Sequence, residues 1–320
     1  MGHTGEKELR LLYEIACLYY EEGLTQEAIA QRTGFSRSRI QRLLEAARRE
    51  GIVEIRLVSP SVSFVELERA LEQRFGLKKA IVVPSSVESD YLMRRRIGVA
   101  AARYLESVLQ KDDVVGVGWG RTVYETLRAF CREVPLMVVS LVGATGQTGF
   151  DFQVNEIAYQ FAKKVGGQFV PFYTPVLVDS EEIARALSWD QSVRRVMEFW
   201  EKLDVAIVGA GDPRLGNVPV PQFFFSDPAS ARILAKREVV GDLLCHFLER
   251  NGALSDPVFD RRVMSISLSG LKKVPCVLGV IGSIEKKHIL RAVLQGRYIN
   301  ILVTDAETAR AVLEKEGERG

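Results

Sequence analysis

The spacing of apolar residues predicts helices in the first part of the chain. Apolar side chains recur every three or four positions, which is the period of one helix face. A shorter helix around residues 28–30 separates two such series, so the pattern indicates three helices before residue 51. The two series are Leu11, Leu12, Ile15, Leu18 and Tyr19, and then Ile40, Leu43, Leu44 and Ala47.

Polar residues and glycines mark the ends of these helices. Thr25 and Ser36 precede the second and third helices, where a hydroxyl accepts a hydrogen bond from a first-turn amide. Gly34 and Gly51 follow them, and glycine adopts the left-handed conformation that often ends a helix. Residues 52–57 then alternate as a strand does. Two helices joined by a tight glycine turn, with a strand behind them, predict a small all-α winged helix-turn-helix domain.

From residue 63 onward, short apolar runs alternate with amphipathic segments. Short, fully apolar strands between helices are typical of a mostly parallel sheet covered on both faces, so we predict a doubly wound α/β domain. Pro60 breaks the element before it, which places the two domains at residues 1–58 and 59–320. The predicted strands are 80–83, 114–117, 136–142, 205–208, 263–268, 276–281 and 299–303, and the predicted helices are 63–75, 92–109, 122–130, 156–165, 286–294 and 306–313.

Composition agrees with a folded chain. The sequence is 47% hydrophobic and 26% charged, whereas a disordered chain has fewer apolar residues and a larger charge imbalance. No apolar run is long enough to cross a bilayer, and the first residues lack the core of a signal peptide, so we expect a cytoplasmic protein without a membrane partner. We expect no metal and no cofactor. The cysteines lie apart in apolar stretches and are expected to be reduced core thiols: Cys17, Cys131, Cys245 and Cys276.

The small net charge conceals a local excess of arginine. The total of +2 by itself argues against a nucleic-acid-binding protein, but residues 31–49 hold six arginines and one glutamate. A recognition helix places its first residues in the major groove, where Arg and Gln reach base edges and phosphates. A solvated helix also carries charge, but here the turn, the caps and the arginines agree. The predicted DNA-binding residues are Thr25, Gln26, Ser36, Arg37, Ser38, Arg39, Gln41 and Arg42.

Three glycine-rich segments come where strands are predicted to end. They are residues 116–122, 143–149 and 209–212, and the first opens a helix. In open parallel sheets, ligands bind at the carboxyl ends of the strands, where glycine lets backbone amides approach and helix N-termini favour anions. None of the three matches a dinucleotide fingerprint or a P-loop. Together they predict a site for an anionic ligand.

Several segments resemble one known family. Residues 25–57 are similar to the DNA-binding domain of the SorC/DeoR-type sugar-binding transcriptional regulators. Residues 116–122, 152–167, 239–252 and 282–313 resemble further motifs of that family. The resemblance implies an effector domain that shares its fold with sugar-phosphate isomerases and binds phosphorylated sugars.

The resemblance and the side-chain chemistry together assign candidate effector-binding residues. A sugar phosphate needs amides and cations for its phosphate, and amide or carboxylate groups for its hydroxyls. The candidates for the phosphate are Arg121, Thr122 and Lys286; those for the hydroxyls are Gln153, Asn155 and Asp242; and the remaining members of the predicted site are Gly118, Trp119, Gly120, Gly143 and Gly209.

Three of these residues fit a structural role as well. Asn155 is also placed to cap its helix. Asp242, which we expect at a helix start, is also placed to pair with the helix dipole. Trp119 fits core packing as well as a sugar platform. Lys286 has the wrong sign for the first turn of a helix, which favours a functional role.

The function predicted from these features is a transcriptional repressor controlled by a phosphorylated sugar. Its partners would be double-stranded operator DNA, the effector and further copies of the chain, as a dimer or tetramer, because one helix-turn-helix alone binds DNA weakly. The effector would change the spacing of the subunits by preferring one assembly over another. The alternatives are an isomerase- or deaminase-like enzyme fused to a DNA-binding domain, for which an acid/base pair is lacking, and a scaffold that binds no ligand.

Overall fold

The computed structural model describes residues 3–53, 64–85, 89–144, 153–215 and 227–314. Contacts divide the chain into two compact units, Met1–Val62 and Ser63–Gly320. The predicted domain boundary after residue 58 lies outside the described residues, as do residues 54–57 of the predicted strand. Ile52 and Val53, the described part of that strand, are not in a β-strand, so the wing stays a prediction.

Three helices form the described part of the N-terminal unit. Side chains from all three are buried against one another, because short helices are stable mainly through the packing of an apolar face. The helix-turn-helix prediction is confirmed. The helices are α1 (His3–Tyr20), α2 (Gln26–Thr33) and α3 (Arg37–Arg49), and the buried residues that join them are Ile15, Ile29, Ile40 and Leu44.

The caps of α2 and α3 are those that the sequence predicts. The Thr25 hydroxyl accepts a hydrogen bond from the Ala28 amide at 3.2 Å, and the Ser36 hydroxyl accepts one from the Arg39 amide at 3.3 Å. Gly34 ends α2 with a φ of +71°, where a side chain would be strained. These three residues define the turn from which α3 begins.

The second unit alternates strands and helices. Its described strands are β1 (Lys79–Val83), β2 (Val114–Val117), β3 (Met137–Ser140), β4 (Gln168–Val170), β5 (Val205–Val208), β6 (Ala210–Gly211), β7 (Val239–Leu243), β8 (His246–Glu249), β9 (Cys276–Val280) and β10 (Ile301–Asp305). Its described helices are α4 (Val65–Phe75), α5 (Asp90–Val108), α6 (Arg121–Ala129), α7 (Val154–Lys164), α8 (Glu181–Trp189), α9 (Gln191–Trp200), α10 (Pro228–Leu234), α11 (Pro257–Asp260), α12 (Leu268–Leu271), α13 (Lys287–Gln295) and α14 (Ala306–Leu313). A 3₁₀ turn, Ile284–Lys286, precedes α13.

Seven of these strands form one parallel sheet in the order β1-β10-β9-β5-β2-β3-β4. The chain runs outward from β2 through β3 to β4, and on the other side from β5 through β9 to β10. The reversal between β2 and β5 is a switch point, and open parallel sheets bind their ligands at the carboxyl ends of the strands beside such a point. A separate antiparallel sheet, β6-β7-β8, begins directly after β5.

Helices cover both faces of the parallel sheet. Helices α5, α6 and α7 bury apolar residues against one face, and α4, α9, α13 and α14 bury theirs against the other. The strands are accordingly apolar on both sides, as the sequence pattern requires for a doubly wound sheet. The predicted fold class is confirmed.

Two predicted elements are wrong. Residues 263–268 do not join the sheet: Val263 and Ser265 make only isolated antiparallel bridges, and α12 begins at Leu268. Met264, Ile266 and Leu268 are buried, so the apolar pattern reflects burial rather than a strand. Residues 239–243, expected at a helix, form β7. The apolar pattern also does not predict α8, α9 or β4.

The four cysteines are free, but they are not all in the core. Cys245 is buried, Cys17 and Cys276 are half-buried, and Cys131 is exposed. The expectation of four core thiols is therefore wrong for Cys131. This residue follows the end of α6, where its amide donates a hydrogen bond to the Glu106 carboxylate.

Asp305, at the end of β10, binds the loops after β1 and β9 and the first turn of α14. Its buried carboxylate accepts hydrogen bonds from the Ser85 hydroxyl after β1, from the Ser283 amide after β9 and from the amide and hydroxyl of Thr308 in α14. Burial raises the pKa of this carboxyl, but hydrogen bonds from Thr308, Ser283 and Ser85 outweigh it, and the pKa is lowered overall. Asp305 thus fixes the loop that leads to the 3₁₀ turn before α13.

We expect Asp305→Ala to lower the free energy of unfolding of the protein by about 3 kcal/mol, because it leaves buried donors without an acceptor. Urea denaturation at pH 7 measures this. The folded pKa is depressed, so the contribution of Asp305 is present above its unfolded pKa and is lost as the pH falls through the folded pKa.

A matched control for this variant is Asp204→Ala. Asp204 is exposed, and its carboxylate accepts one hydrogen bond, from the Val114 amide. Removing this carboxylate should lower the free energy of unfolding by about 1 kcal/mol or less. Equal losses for the two variants would contradict the role given to Asp305.

Candidate DNA-binding surface and effector site

One face of α3 is exposed and basic. Ile40, Leu44 and Ala47 turn inward to the core of the unit. Of the other residues in the first two turns, Leu43 is half-buried and the rest are exposed, three of them arginines. Of the residues predicted to contact DNA, only Gln26 is half-buried; the exposed ones are Thr25, Ser36, Arg37, Ser38, Arg39, Gln41 and Arg42.

Local contacts hold several of these side chains in place. The Arg39 guanidinium stacks over the Phe35 ring, 4.0 Å from its centroid. The Gln41 amide donates a hydrogen bond to the Glu45 carboxylate at 3.0 Å, one turn further along the same face. A helix whose exposed N-terminal half presents ordered Arg and Gln side chains can reach phosphates and base edges.

Arg48 has a different role from the arginines at the start of α3. Its guanidinium donates hydrogen bonds of 2.9 and 2.6 Å to the Tyr20 hydroxyl at the end of α1. Arg32 forms an ion pair with Glu22 at 2.9 Å. Arg48 thus joins α3 to α1, and Arg32 joins α2 to the segment after α1. Arg49, in the last turn of α3, forms an ion pair with Glu50 at 3.4 Å, so the arginines at the start of α3 are Arg37, Arg39 and Arg42.

The three glycine-rich segments follow three neighbouring strands of the parallel sheet, β2, β3 and β5. In the first, the Gly118 amide donates to the Ile207 carbonyl at 2.8 Å, and a Cβ at Gly118 would lie 2.8 Å from Leu244. Gly120 has a φ of +133°, which a residue with a side chain rarely adopts, and α6 begins immediately after it. The backbone can approach this closely only because these positions are glycines.

The other two segments are only partly comparable with the first. Gly143 packs against backbone, since a Cβ there would lie 2.7 Å from the Thr174 carbonyl oxygen. Residues 145–149 lie outside the described part of the chain. In the third segment, Gly209 has room for a Cβ, and the chain passes directly into β6.

Asp242 is a buried carboxyl in β7, opposite Gly211 of β6. Only 5% of its surface is exposed, and its carboxylate accepts a hydrogen bond from the Cys245 amide at 3.0 Å. Burial raises the pKa of Asp242 to about 7, with a contribution from the negative charge of Asp212, against the lowering effects of the Cys245 amide, His246 and Lys286. A carboxyl that titrates near neutrality can accept or donate a hydrogen bond to a hydroxyl.

The expectation that Asp242 lies at a helix start is wrong. The residue before it, Gly241, has a φ of +148°, and a Cβ there would collide with the Gly211 carbonyl oxygen and crowd Ile289 of α13. Gly241 therefore lets β7 lie close to β6 and to α13. This close packing brings Asp242 near the N-terminus of α13.

Lys286 ends the 3₁₀ turn before α13 and is half-buried. Burial and the positive charges of Arg121 and Arg94 lower its pKa to about 8, although Asp242 and Asp90 act in the opposite direction. The turn is set by Ser283, which has a φ of +96° and whose carbonyl accepts the Lys286 amide. Lys286 is thus held among other charges at the sheet edge, and its part in phosphate binding stays a prediction.

Arg121 is the first residue of α6 and lies near a cation that the sequence analysis misses. Burial and the positive charge of Arg94 lower the pKa of Arg121, and the negative charge of Asp90 opposes them. Arg94 lies in α5, and 18% of its side chain is exposed. It belongs to a run of three consecutive arginines, and nothing in the sequence shows which of the three faces inward.

The predicted hydroxyl-binding amides have structural contacts. The Asn155 side-chain oxygen accepts hydrogen bonds from the Ser140 hydroxyl at 2.7 Å and the Phe172 amide at 3.2 Å, and its nitrogen donates to the Phe172 carbonyl. Asn155 thus links β3 to the segment after β4 rather than capping its helix. Gln153 is the N-cap residue of α7.

The remaining predicted residues line the same edge. Thr122 is buried in the first turn of α6. Trp119 is half-buried and packs against an apolar cluster that includes Val142, Val154 and Phe247. This packing gives the Trp119 ring a structural role, and its role as a sugar platform stays a prediction.

No described helix is long and apolar enough to cross a membrane. Within the ranges that the structure describes, no group of three or more His, Cys, Asp or Glu side chains is arranged to hold a metal ion.

Known proteins share both units of this chain. Residues 59–314 match the family model described as "Putative sugar-binding domain", and residues 14–50 match the model for region 4 of sigma-70. The sorbitol operon regulator of Klebsiella pneumoniae is 31% identical over 96% of this chain and 98% of its own length. The transcriptional regulator LsrR of Enterobacter sp. (strain 638) is 32% identical over 97% of this chain and 94% of its own length.

The similarity extends to a solved structure. The crystal structure of full-length SorC from Klebsiella pneumoniae has a TM-score of 0.73 and 30% sequence identity, and the match covers 96% of this chain and 100% of that one. These relatives are transcriptional regulators and not enzymes.

We expect Asp242→Asn to stabilise the protein above pH 7. The pKa of Asp242 in the folded protein, about 7, lies above its ordinary value of 3.8, so its stabilising contribution is present below about pH 4 and is lost as the pH rises through 7. Asparagine stays neutral and avoids this loss, which amounts to about 2–4 kcal/mol. Urea denaturation at pH 4 and pH 8 should show similar stabilities at pH 4 and a more stable variant at pH 8.

Asp227→Asn is the control for the Asp242 variant. Asp227 forms an ion pair with Arg262 at 2.8 Å, so the same chemical change there should bring no gain in stability at pH 8. A destabilised Asp242→Asn protein at pH 8 would show that the buried carboxylate is well compensated, contrary to its raised pKa.

Proposed function

Because the chain belongs to the SorC-type family of sugar-binding transcriptional regulators, we propose that it is a repressor whose operator binding is controlled by a phosphorylated sugar. The exposed arginines of α3 would bind double-stranded operator DNA. The edge of the parallel sheet at the switch point would bind the effector. Such a regulator acts on DNA in the cytoplasm.

The pairing of cations with a buried carboxyl supports a sugar phosphate as the effector class. The positive charge of Arg121 lowers the pKa of Lys286, and the negative charge of Asp242 raises it. The candidate phosphate-binding and hydroxyl-binding side chains therefore belong to one cluster of charges. The cations suit a phosphate, and the carboxyl of Asp242 suits sugar hydroxyls. The sorbitol operon regulator is a relative whose name refers to a sugar alcohol, which agrees with a polyhydroxylated ligand.

Assembly of several copies is part of the proposal. A single helix-turn-helix contacts too little DNA for tight binding, so a dimer or tetramer would place two recognition helices on a pseudo-palindromic operator. The effector can act on DNA binding only if it prefers one arrangement of the subunits.

The two functions should be separable by mutation. Arg39→Ala should lower operator affinity about tenfold or more, because it removes a guanidinium that is ordered over Phe35 at the start of α3. The same variant should keep the full thermal stabilisation by sugar phosphates. Gel-shift titration and thermal denaturation measure the two properties.

The control for Arg39→Ala is Arg69→Ala. Arg69 is an exposed residue of α4 in the other unit, so the variant removes the same charge outside the proposed DNA-binding surface. Equal losses of operator affinity in the two variants would contradict the assignment of α3.

Lys286→Ala should have the opposite effect. It removes the half-buried ammonium just before α13. The apparent affinity for sugar phosphates, measured by thermal stabilisation, should therefore fall about tenfold or more. Operator affinity without effector should stay unchanged. If the Lys286→Ala protein responds to sugar phosphates normally, the phosphate does not bind at this edge.

A further inference from the structure

The two edges of the parallel sheet differ in how their outward-facing backbone amides are bonded. At the β1 edge, the Ala80 amide donates a hydrogen bond to the Glu72 carboxylate at 2.9 Å. Two residues further on, the Val82 amide donates one to the Glu68 carboxylate, also at 2.9 Å. Both carboxylates come from α4, which packs beside β1. These amides are not available to another strand, and proteins commonly protect the edges of their sheets in such ways.

The opposite edge, β4, has no such protection. The Gln168 amide donates a hydrogen bond to the Leu136 carbonyl at 2.8 Å, so the backbone of Gln168 faces β3. Backbone groups of successive residues in a strand point to opposite sides, so the amide and carbonyl of Phe169 face away from the sheet. Within the ranges that the structure describes, no side chain forms a hydrogen bond with either group. The β4 edge is therefore open at Phe169.

An antiparallel partner strand can bond β4 only at this residue. The next residues that face outward are Gly167 and Pro171. The Gly167 amide already donates to the Ala162 carbonyl at 2.9 Å, and proline has no amide. Two identical residues that face each other across a two-fold axis exchange two hydrogen bonds in an antiparallel pair. The edge therefore fits a closed pair of identical strands rather than a continuing series of strands.

A groove of about 790 Å³ lies beside β4. It is lined on one side by β4 and the segment after it, and on the other side by α9. Tyr173 lines the groove, and 81% of its surface is exposed. Phe169 lines it as well, and the centroid of its ring is 6.1 Å from that of Tyr159, an exposed residue of α7. Exposed aromatic rings beside an open strand are typical of a protein–protein interface.

The α9 side of the groove carries charges of both signs. Arg194 and Arg195 line it, and Glu198 lies about one turn further along the helix. All three are exposed, and none of them forms an ion pair with a residue that the structure describes. A two-fold axis makes each contact occur twice, so an arginine of each copy can face the glutamate of the other. A small anion would match the arginines but not Glu198, whereas a second copy of the same surface matches both.

We propose that this surface, formed by β4, the groove and α9, is where two copies of the chain pair about a two-fold axis. Phe169 of each copy bonds the other copy at the axis, and the arginines of each α9 face Glu198 of the partner subunit. The inference rests on the proposed function, because it names the interface of the assembly proposed there. It adds the surface, its symmetry and the residues that hold it together.

Charge reversal tests this pairing in the full-length protein. The first variant carries both Arg194→Glu and Arg195→Glu, so that all three charges of the groove are negative. The second carries Glu198→Arg, so that all three are positive. Each variant alone should repel a copy of itself, and its assembly should have half the mass of that of the unmodified protein. Analytical ultracentrifugation and light scattering measure this mass.

Mixing the two variants provides the decisive measurement. In an equimolar mixture, the negative surface of one variant meets the positive surface of the other at both symmetric contacts, so the full mass should return. A return of the full mass would also show that both variants are folded. The matched control carries Arg69→Glu and Arg103→Glu, which reverse two exposed arginines of α4 and α5. These helices contact β1 at the other edge of the sheet, so the control should keep the full mass.

Each other outcome overturns a defined part of the account. If the unmodified protein is an oligomer and both variants keep its mass, the β4 surface is not the interface, while the proposed function stands. If both variants lose half of the mass and the mixture does not regain it, the arginines do not face Glu198 of the partner subunit and the pairing is wrong. An equal loss in the control would also overturn the pairing. If the unmodified protein is a monomer both alone and on operator DNA, the assembly in the proposed function is wrong as well.

Discussion

The parallel direction of the seven-stranded sheet is the constraint on which the effector site depends. Because every strand ends at the same edge, the helices that follow them begin there, with their free amides and positive dipole ends together. The strand order reverses between β2 and β5, and open parallel sheets bind their ligands beside such a switch point. Arg121 and Lys286 start helices at this edge, so the backbone topology brings residues far apart in sequence into one cluster.

The structure at the carboxyl edge of the parallel sheet contains residues in unfavourable conformations or charge states. Ser283 has a positive φ without being glycine, and Asp242 is a buried carboxyl near several charges. Asp305 offsets part of this cost by bonding the loops after β1 and β9. Residues held in unfavourable conformations or charge states persist only where the surrounding structure fixes them, and such residues concentrate at binding sites.

Much of this structure follows from the sequence, and the exceptions have physical reasons. Thr25, Ser36 and Gly34 act through local backbone chemistry, so their roles are predictable from neighbouring residues alone. The position of Asp242 is not, because Gly241 allows a close approach to β6 and α13 that only the folded chain defines. Arg94 is missed for a related reason: among consecutive arginines, the packing of α5 on α6 decides which one faces inward.

The central claim is that ligand binding at the sheet edge changes DNA binding by the other unit. The most direct measurement is the operator affinity of the unmodified protein, together with its assembly state, with and without each member of a panel of sugar phosphates. The account predicts that at least one sugar phosphate changes operator affinity by about tenfold and shifts the assembly, whereas the matching unphosphorylated sugar does neither. Identical operator affinity and assembly across the whole panel would contradict it.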